Sequence, residues 1–361
     1  MKLGLGLYRH MLTDENFQFA KQAGCDGIIV HLANYYEDIL PATDGEKNYG
    51  AVRKNDPIWE KEHLMALKKQ IESHGLELYG IENFSPGDWY DVLLDGPLRD
   101  KQMTKLKEII QNVGDVGIHY FGYNFSIAGV WGHSKKAVAR GNAISSTFSA
   151  SELPLDKEIP KGEVWNMTYQ HNDTGETIGT VSSEELWDRV TQFLEELLPV
   201  AEAAGVKLAA HPDDPPMPEL RKTARLVYQP DYYQQLIDLV PSDSNMLEYC
   251  LGSIQEMTDG DSYESLEQYA SQEKIAYVHF RNVKGKVPDY HEVFVDEGDL
   301  DMIRCLKILK KHNYQGLIIP DHTPQMTCDA PWHAGMAYAL GYTRAIIQQL
   351  EKQDKDEISE Q

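Results

Sequence analysis

Eight short apolar runs alternate with eight amphipathic stretches along the chain, and few folds accommodate that rhythm. The runs lie at 3–8, 27–32, 76–82, 120–125, 206–210, 246–251, 275–283 and 317–320. Most are apolar throughout rather than alternating, as expected of strands covered on both faces. The stretches between them carry helical spacing. In the fourth, Leu186, Val190, Phe193, Leu194, Leu197, Leu198 and Ala201 fall on one stripe behind the acidic start Ser183-Glu184-Glu185, with Pro199 expected to kink its last turns. Thr13 reads as a helix cap and Gly24 as a stop. Repeated strand–helix units build a parallel sheet with right-handed crossovers. Eight of them in 361 residues favour an α/β fold closed as a (β/α)8 barrel over an open sheet. No Gly-rich dinucleotide fingerprint follows the first run. The expected organisation is one barrel domain over 1–350, a long insertion at 126–181, and an acidic, frayed tail at 351–361. The insertion lacks sustained periodicity, and loops of that length are usually functional covers or walls. Its Trp131, His133 and Trp165 either line a pocket or fasten the insertion to the barrel.

The polar residues fall at informative places. The run at 206–210 breaks at His211-Pro212-Asp213-Asp214-Pro215-Pro216, where proline forces the chain out of a sheet. The next two runs contain Cys250 and His279, and Asp321 directly follows the last. In a closed barrel the carboxyl ends of the strands share one mouth, where such enzymes keep their chemistry. His211, Cys250, His279 and Asp321 can therefore close around one ion, and their mixed softness suits zinc, iron or manganese better than magnesium or calcium. The bland alternative is a buried apolar cysteine and hydrogen-bonded core histidines. Asp213, Asp214, Arg281, Asn282 and His322 surround this set. Arg281 and Asn282 suit hydrogen bonding to a hydroxyl or carboxylate, while the two aspartates serve equally well as caps of the next turn.

Composition narrows the functional classes. A net charge of −23 argues against nucleic acid, which needs a basic surface. No run approaches the roughly 20 apolar residues of a membrane span, and the first residues lack the order of a secretory signal, so the expected location is cytoplasmic. Four scattered cysteines suggest thiols or a metal ligand rather than a disulfide frame.

Taken together, His211-Pro-Asp-Asp-Pro-Pro216, Cys250-Leu-Gly-Ser253, His279-Phe-Arg-Asn-Val283, Gly298-Asp-Leu-Asp-Met302 and Asp321-His322 resemble the mannonate dehydratases in order and spacing. Tyr123-Asn124-Phe125 is similar to that family's motif after the fourth strand. The resemblance implies a xylose-isomerase-like barrel that dehydrates D-mannonate to 2-keto-3-deoxy-D-gluconate with Mn2+ or Fe2+. It implies His211, Cys250, His279 and Asp321 as ligands, His322 as a catalytic acid/base, and Tyr123 and Asn124 beside the substrate. The chain departs from the pattern at Trp131-Gly-His133, at Thr323-Pro324 and at Pro331-Trp-His333, where two arginines and a tyrosine are expected. His333 is the natural replacement for that tyrosine, which gives a division of acid and base roles between His322 and His333. The expected activity is thus a metal-dependent hydro-lyase acting on a small-molecule sugar acid. The first rival is a sugar isomerase or epimerase on the same barrel, and the second a non-catalytic carbohydrate-binding barrel. The oligomeric state is left open.

Overall fold

The computed structural model describes residues 1–35 and 55–359, and the polar stretch that follows the second strand lies mostly outside them. Eight parallel strands close a barrel: β1 Lys2–Tyr8, β2 Gly27–His31, β3 Glu77–Glu82, β4 Tyr120–Tyr123, β5 Lys207–Ala210, β6 Asn245–Cys250, β7 Ile275–His279 and β8 Leu317–Ile319. Each pairs with its neighbours in sequence and β1 pairs with β8, so the barrel has no edge. Register carries the strand ends to one rim, because His31 sits opposite Glu82, Glu82 opposite Gly122, and Cys250 opposite His279.

The helices form for local reasons and are held by burial. Thr13 accepts a hydrogen bond from Asn16 N ahead of Asp14–Gln22, Ser182 and Glu185 cap Ser183–Ala204 reciprocally, and Asp301 caps Met302–Lys311. The seven-residue stripe of Ser183–Ala204 is buried, and Pro199 lies within that helix. At about 1.5–3 kcal/mol for each large aliphatic or aromatic side chain, the stripe contributes on the order of 10 kcal/mol before entropy is charged against it. The barrel interior packs separately from the helical layer. Ile29, Tyr79, Ala209, Met246, Ala276, Tyr277, Leu317 and Ile319 form one cluster, distinct from the much larger one built by the strands with the helical layer.

Three elements depart from the expected pattern. The run at 275–283 is not one strand: β7 stops at His279, and Asn282–Lys286 starts an antiparallel hairpin with Asp289–Val293. The insertion is not irregular throughout. Ser134–Ala139 and Ala143–Ser149 form a hairpin that pairs with Asp289–Val293, giving a four-stranded sheet. The last helix, Pro331–Ser359, continues through most of the tail expected to fray.

Candidate active site

A cavity of about 430 Å3 opens where the strand ends and the four-stranded sheet meet. Its floor holds His31, Glu82, His211, His279 and Asp321, and its walls include His133, Lys135, Ile144, Ser146 and Trp165 of the insertion together with Glu292 and His322. The sheet therefore serves as a wall. Trp131 does not line the cavity; it is buried with the Arg221 guanidinium 5.2 Å from its ring centroid, which fastens the insertion.

His211, Cys250 and His279 each offer a ligand atom within 4.8 Å of the other two. The Cys250 thiol is fully buried, and burial alone would raise it. Arg281 and the His211 and His279 imidazoles outweigh that and hold it well below its ordinary value, as a thiolate. His211 Nδ1 lies 2.6 Å from the Pro212 carbonyl, so that nitrogen carries the proton and Nε2 is left as a donor atom. His279 is buried, yet neither of its ring nitrogens makes a hydrogen bond. Carboxylates stand on both sides of it: Asp321 at 3.5 Å from Nδ1, Glu248 at 3.2 Å and Glu82 at 3.4 Å from Nε2. Two imidazoles and a thiolate with orphaned nitrogens make a donor set that fits a borderline transition ion. Asp321 lies at the edge of this group and also contacts Arg281 Nε at 3.1 Å and His322 Nε2 at 3.4 Å.

Glu82 and Glu248 form a second group with His279. Burial lifts both carboxyls. The His31 and His279 imidazoles bring Glu82 back down, whereas Glu248 faces the Glu82 charge and stays well above the usual range. The opposite directions make Glu82 the carboxylate and Glu248 the acid of the pair. Tyr277 donates to Glu248 at 2.5 Å, and Gly122 permits this, because a Cβ there would collide with both side chains. Glu82 and His31 were not among the sequence-derived candidates, although they end their strands as His279 does.

Arg281 is fully buried beneath the cavity rather than exposed in it. It is bound to Asp214, 2.7 Å from Glu256, 2.9 Å from Ser253 and 3.6 Å from Glu292. Burial would raise Asp214, but Arg281, His133 and Tyr290 hold it well below the usual carboxylate range. His322 meets Glu292 at 2.9 Å and Asp321 at 3.4 Å, with 40% of its side chain exposed to the cavity. Burial lowers its value, but the two carboxylates lift it to about 9, so it is an imidazolium at neutral pH.

Several expected contacts fail. Tyr123 points outward into the helical layer, with its ring 5.3 Å from Phe193. Asp213 accepts from the Leu226 and Val227 amides and pairs with Arg225, so it is a turn cap, while its neighbour Asp214 lines the cavity. Asn282 spends its amide on the Val295 and Leu300 carbonyls and does not line the cavity. His333 lies outside the cavity lining, 2.9 Å from Asn16 and edge-on to Phe19, because the first turn of its helix packs on Asp14–Gln22. The two-histidine division of roles is thereby lost. Asn124 does line the cavity.

Comparison with known proteins agrees with this geometry. Residues 16–357 match the family described as D-mannonate dehydratase (UxuA). The mannonate dehydratase of Lactococcus lactis subsp. cremoris is 30% identical over 285 residues, covering 73% of this chain and 78% of the relative. That of Streptococcus suis is 30% identical over 301 residues, covering 80% of each. The crystal structure of mannonate dehydratase from Streptococcus suis serotype 2 superposes with a TM-score of 0.75 at 25% identity, over 96% of this chain and 93% of that one. An L-ribulose 3-epimerase matches with a TM-score of 0.56 at 15% identity, over 98% of this chain and 97% of that one, which speaks for the barrel alone.

Proposed function

The chain belongs to the D-mannonate dehydratase family, and from that membership we propose that it removes water from a D-mannonate-like sugar acid to give the 2-keto-3-deoxy acid, using Mn2+ or Fe2+. The family is a family of metal-dependent hydro-lyases. The observation that carries the reading is the meeting of His211, Cys250 and His279 on the floor of the cavity that His322 overlooks.

His211, Cys250, His279 and Asp321 would hold the cation. When bound, it supplies Lewis-acid stabilisation of the negative charge that grows on the substrate oxygens as C2 loses its proton. The protein's own groups do the rest. Pro212 fixes the His211 tautomer, and Glu82 and Glu248, 3.4 and 3.2 Å from His279 Nε2, orient that imidazole. Arg281 keeps Asp214 and Asp321 ionised without entering the cavity. His322, an imidazolium held by Glu292, protonates the departing C3 hydroxyl, which leaves as water, and His31, kept neutral by burial at the cavity floor, takes the C2 proton. Asn124 and Asp214 remain as hydrogen-bonding contacts for the sugar hydroxyls.

The test is a panel of hexonates and hexuronates with the manganese-loaded protein, assayed for 2-keto-3-deoxy acid by thiobarbiturate. D-mannonate or a close epimer should give the colour. Absence of product across the panel, with the metal bound, overturns the proposal.

A further inference from the structure

The cavity is rich in carboxylates. Glu82, Asp214, Glu292 and Asp321 all line it, while Arg281, which balances three of them, lies below its floor. An anionic substrate entering such a space needs a positive group within reach. Among the described lining residues there is one Lys or Arg, and it is Lys135.

Its position follows from strand geometry. In Ser134–Ala139 successive side chains point to opposite faces. On one face Ser134 bonds Thr147 at 2.8 Å and Lys136 pairs with Glu152 at 2.6 Å. Lys135 takes the other face, and its cross-strand partner is Ser146, with Ile144 two residues further along that strand. Ile144 bridges in turn to Gln325, so Lys135, Ser146, Ile144 and Gln325 form one contiguous strip of the cavity wall. Lys135 makes no hydrogen bond or ion pair of its own among the described residues, so its ammonium is not committed elsewhere. Its field does reach the cavity. Burial raises the Glu292 carboxyl, and His322, Arg281 and Lys135 together hold it at about 2.

We infer that Lys135, with Ser146 and Gln325 beside it, is the subsite that binds the carboxylate of the sugar acid. This rests on the sugar-acid reading above and replaces, in this chain, the two arginines missing from the family pattern. A charge-assisted hydrogen bond of this kind is worth about ten-fold or more in affinity.

Calorimetric Kd values for the hexonate that binds best, measured on manganese-loaded wild type, Lys135→Met, Lys135→Arg and Lys136→Met, test it. Lys135→Met should weaken hexonate binding at least about ten-fold, Lys135→Arg should recover most of the loss, and Lys136→Met, on the opposite face, should match wild type. Inhibition by the matching neutral hexitol should not respond to Lys135→Met. A Lys135→Met Kd within three-fold of wild type overturns the subsite, as does an equal loss for the hexitol or in Lys136→Met. Turnover measured in parallel separates the two readings. Hexonate held through Lys135 but never dehydrated contradicts the dehydratase assignment alone, and dehydration with unchanged Kd in Lys135→Met contradicts the subsite alone.

Discussion

Replacing Arg281 by Met should be among the most damaging single changes in the chain. The guanidinium is fully buried and touches Asp214, Glu256, Asp321 and Glu292, all buried or nearly so. Met keeps much of the volume and removes the charge, which leaves at least two directly paired carboxylates without a counter-ion. Breaking one buried pair by removing a partner costs about 3–5 kcal/mol, and proton uptake by the stranded acids limits the total to about that range. Against a typical domain stability of roughly 5–15 kcal/mol this is a large fraction. The exposed pair Lys2–Glu77, each side chain 46% accessible, provides the contrast, since Lys2→Met should cost about 1 kcal/mol or less. Urea unfolding of the metal-free proteins at pH 7 reads both, and the Arg281→Met midpoint should fall by about 1 M. The pH dependence has a definite sign. Asp214 is held below its ordinary value in the fold, so its contribution is present above pH 4 and disappears as pH falls further. The gap between wild type and Arg281→Met should therefore narrow below pH 4. If Arg281→Met lies within about 1 kcal/mol of wild type at pH 7, the buried network is not a cation-centred one and the reasoning fails.

Asp88 offers a pH effect of opposite sign. Burial raises its carboxyl from 3.8 to about 6, a cost to the folded state of about 3 kcal/mol above pH 6 that is relieved as pH falls from 6 to 4. Asp88→Asn should stabilise the protein at pH 7 and flatten its stability profile across that window, which thermal melts will report. His322→Asn should lose about 100- to 10,000-fold in turnover with metal content unchanged, whereas His333→Phe, outside the cavity, should stay within a few-fold of wild type. Cys250→Ala and His279→Ala should be metal-depleted by elemental analysis after manganese loading and dialysis; full content in both would remove the proposed ligand set.

The barrel was legible because strands covered on both faces read as apolar runs, and β5 and β8 have no other plausible reading. The metal-capable trio was legible for the same reason, since His211 directly follows one such run and Cys250 and His279 are the metal-binding side chains of the next two. The same rule applied to β2 and β3 would have found His31 and Glu82. That the insertion forms a wall was legible from its length, but the strands that build the wall were not. Ser134–Ala139 is exposed over five of its six residues and reads Ser-Lys-Lys-Ala-Val-Ala, with no apolar face to set a period. The misassigned contacts share a cause in side-chain direction. Asp213 and Asp214 are neighbours, yet one caps a turn and the other faces the cavity, and Tyr123 ends its strand pointing at Phe193. Spacing brings a residue to the rim, but backbone direction there decides which way it faces. His333 fails similarly, because docking of its helix on Asp14–Gln22 turns the imidazole towards Asn16.

The most direct test of the proposed chemistry is the reaction run in D2O on the manganese-loaded protein with the sugar acid it binds best, followed by NMR. Elimination across C2 and C3 removes the C2 proton and the C3 hydroxyl, and ketonisation of the enol then takes one deuteron from solvent. A 2-keto-3-deoxy acid carrying one deuterium at C3 is the expected product. Deuterium appearing at C2 of recovered sugar acid, with the C3 hydroxyl retained and no deoxy product, would contradict dehydration and identify an epimerase on the same barrel.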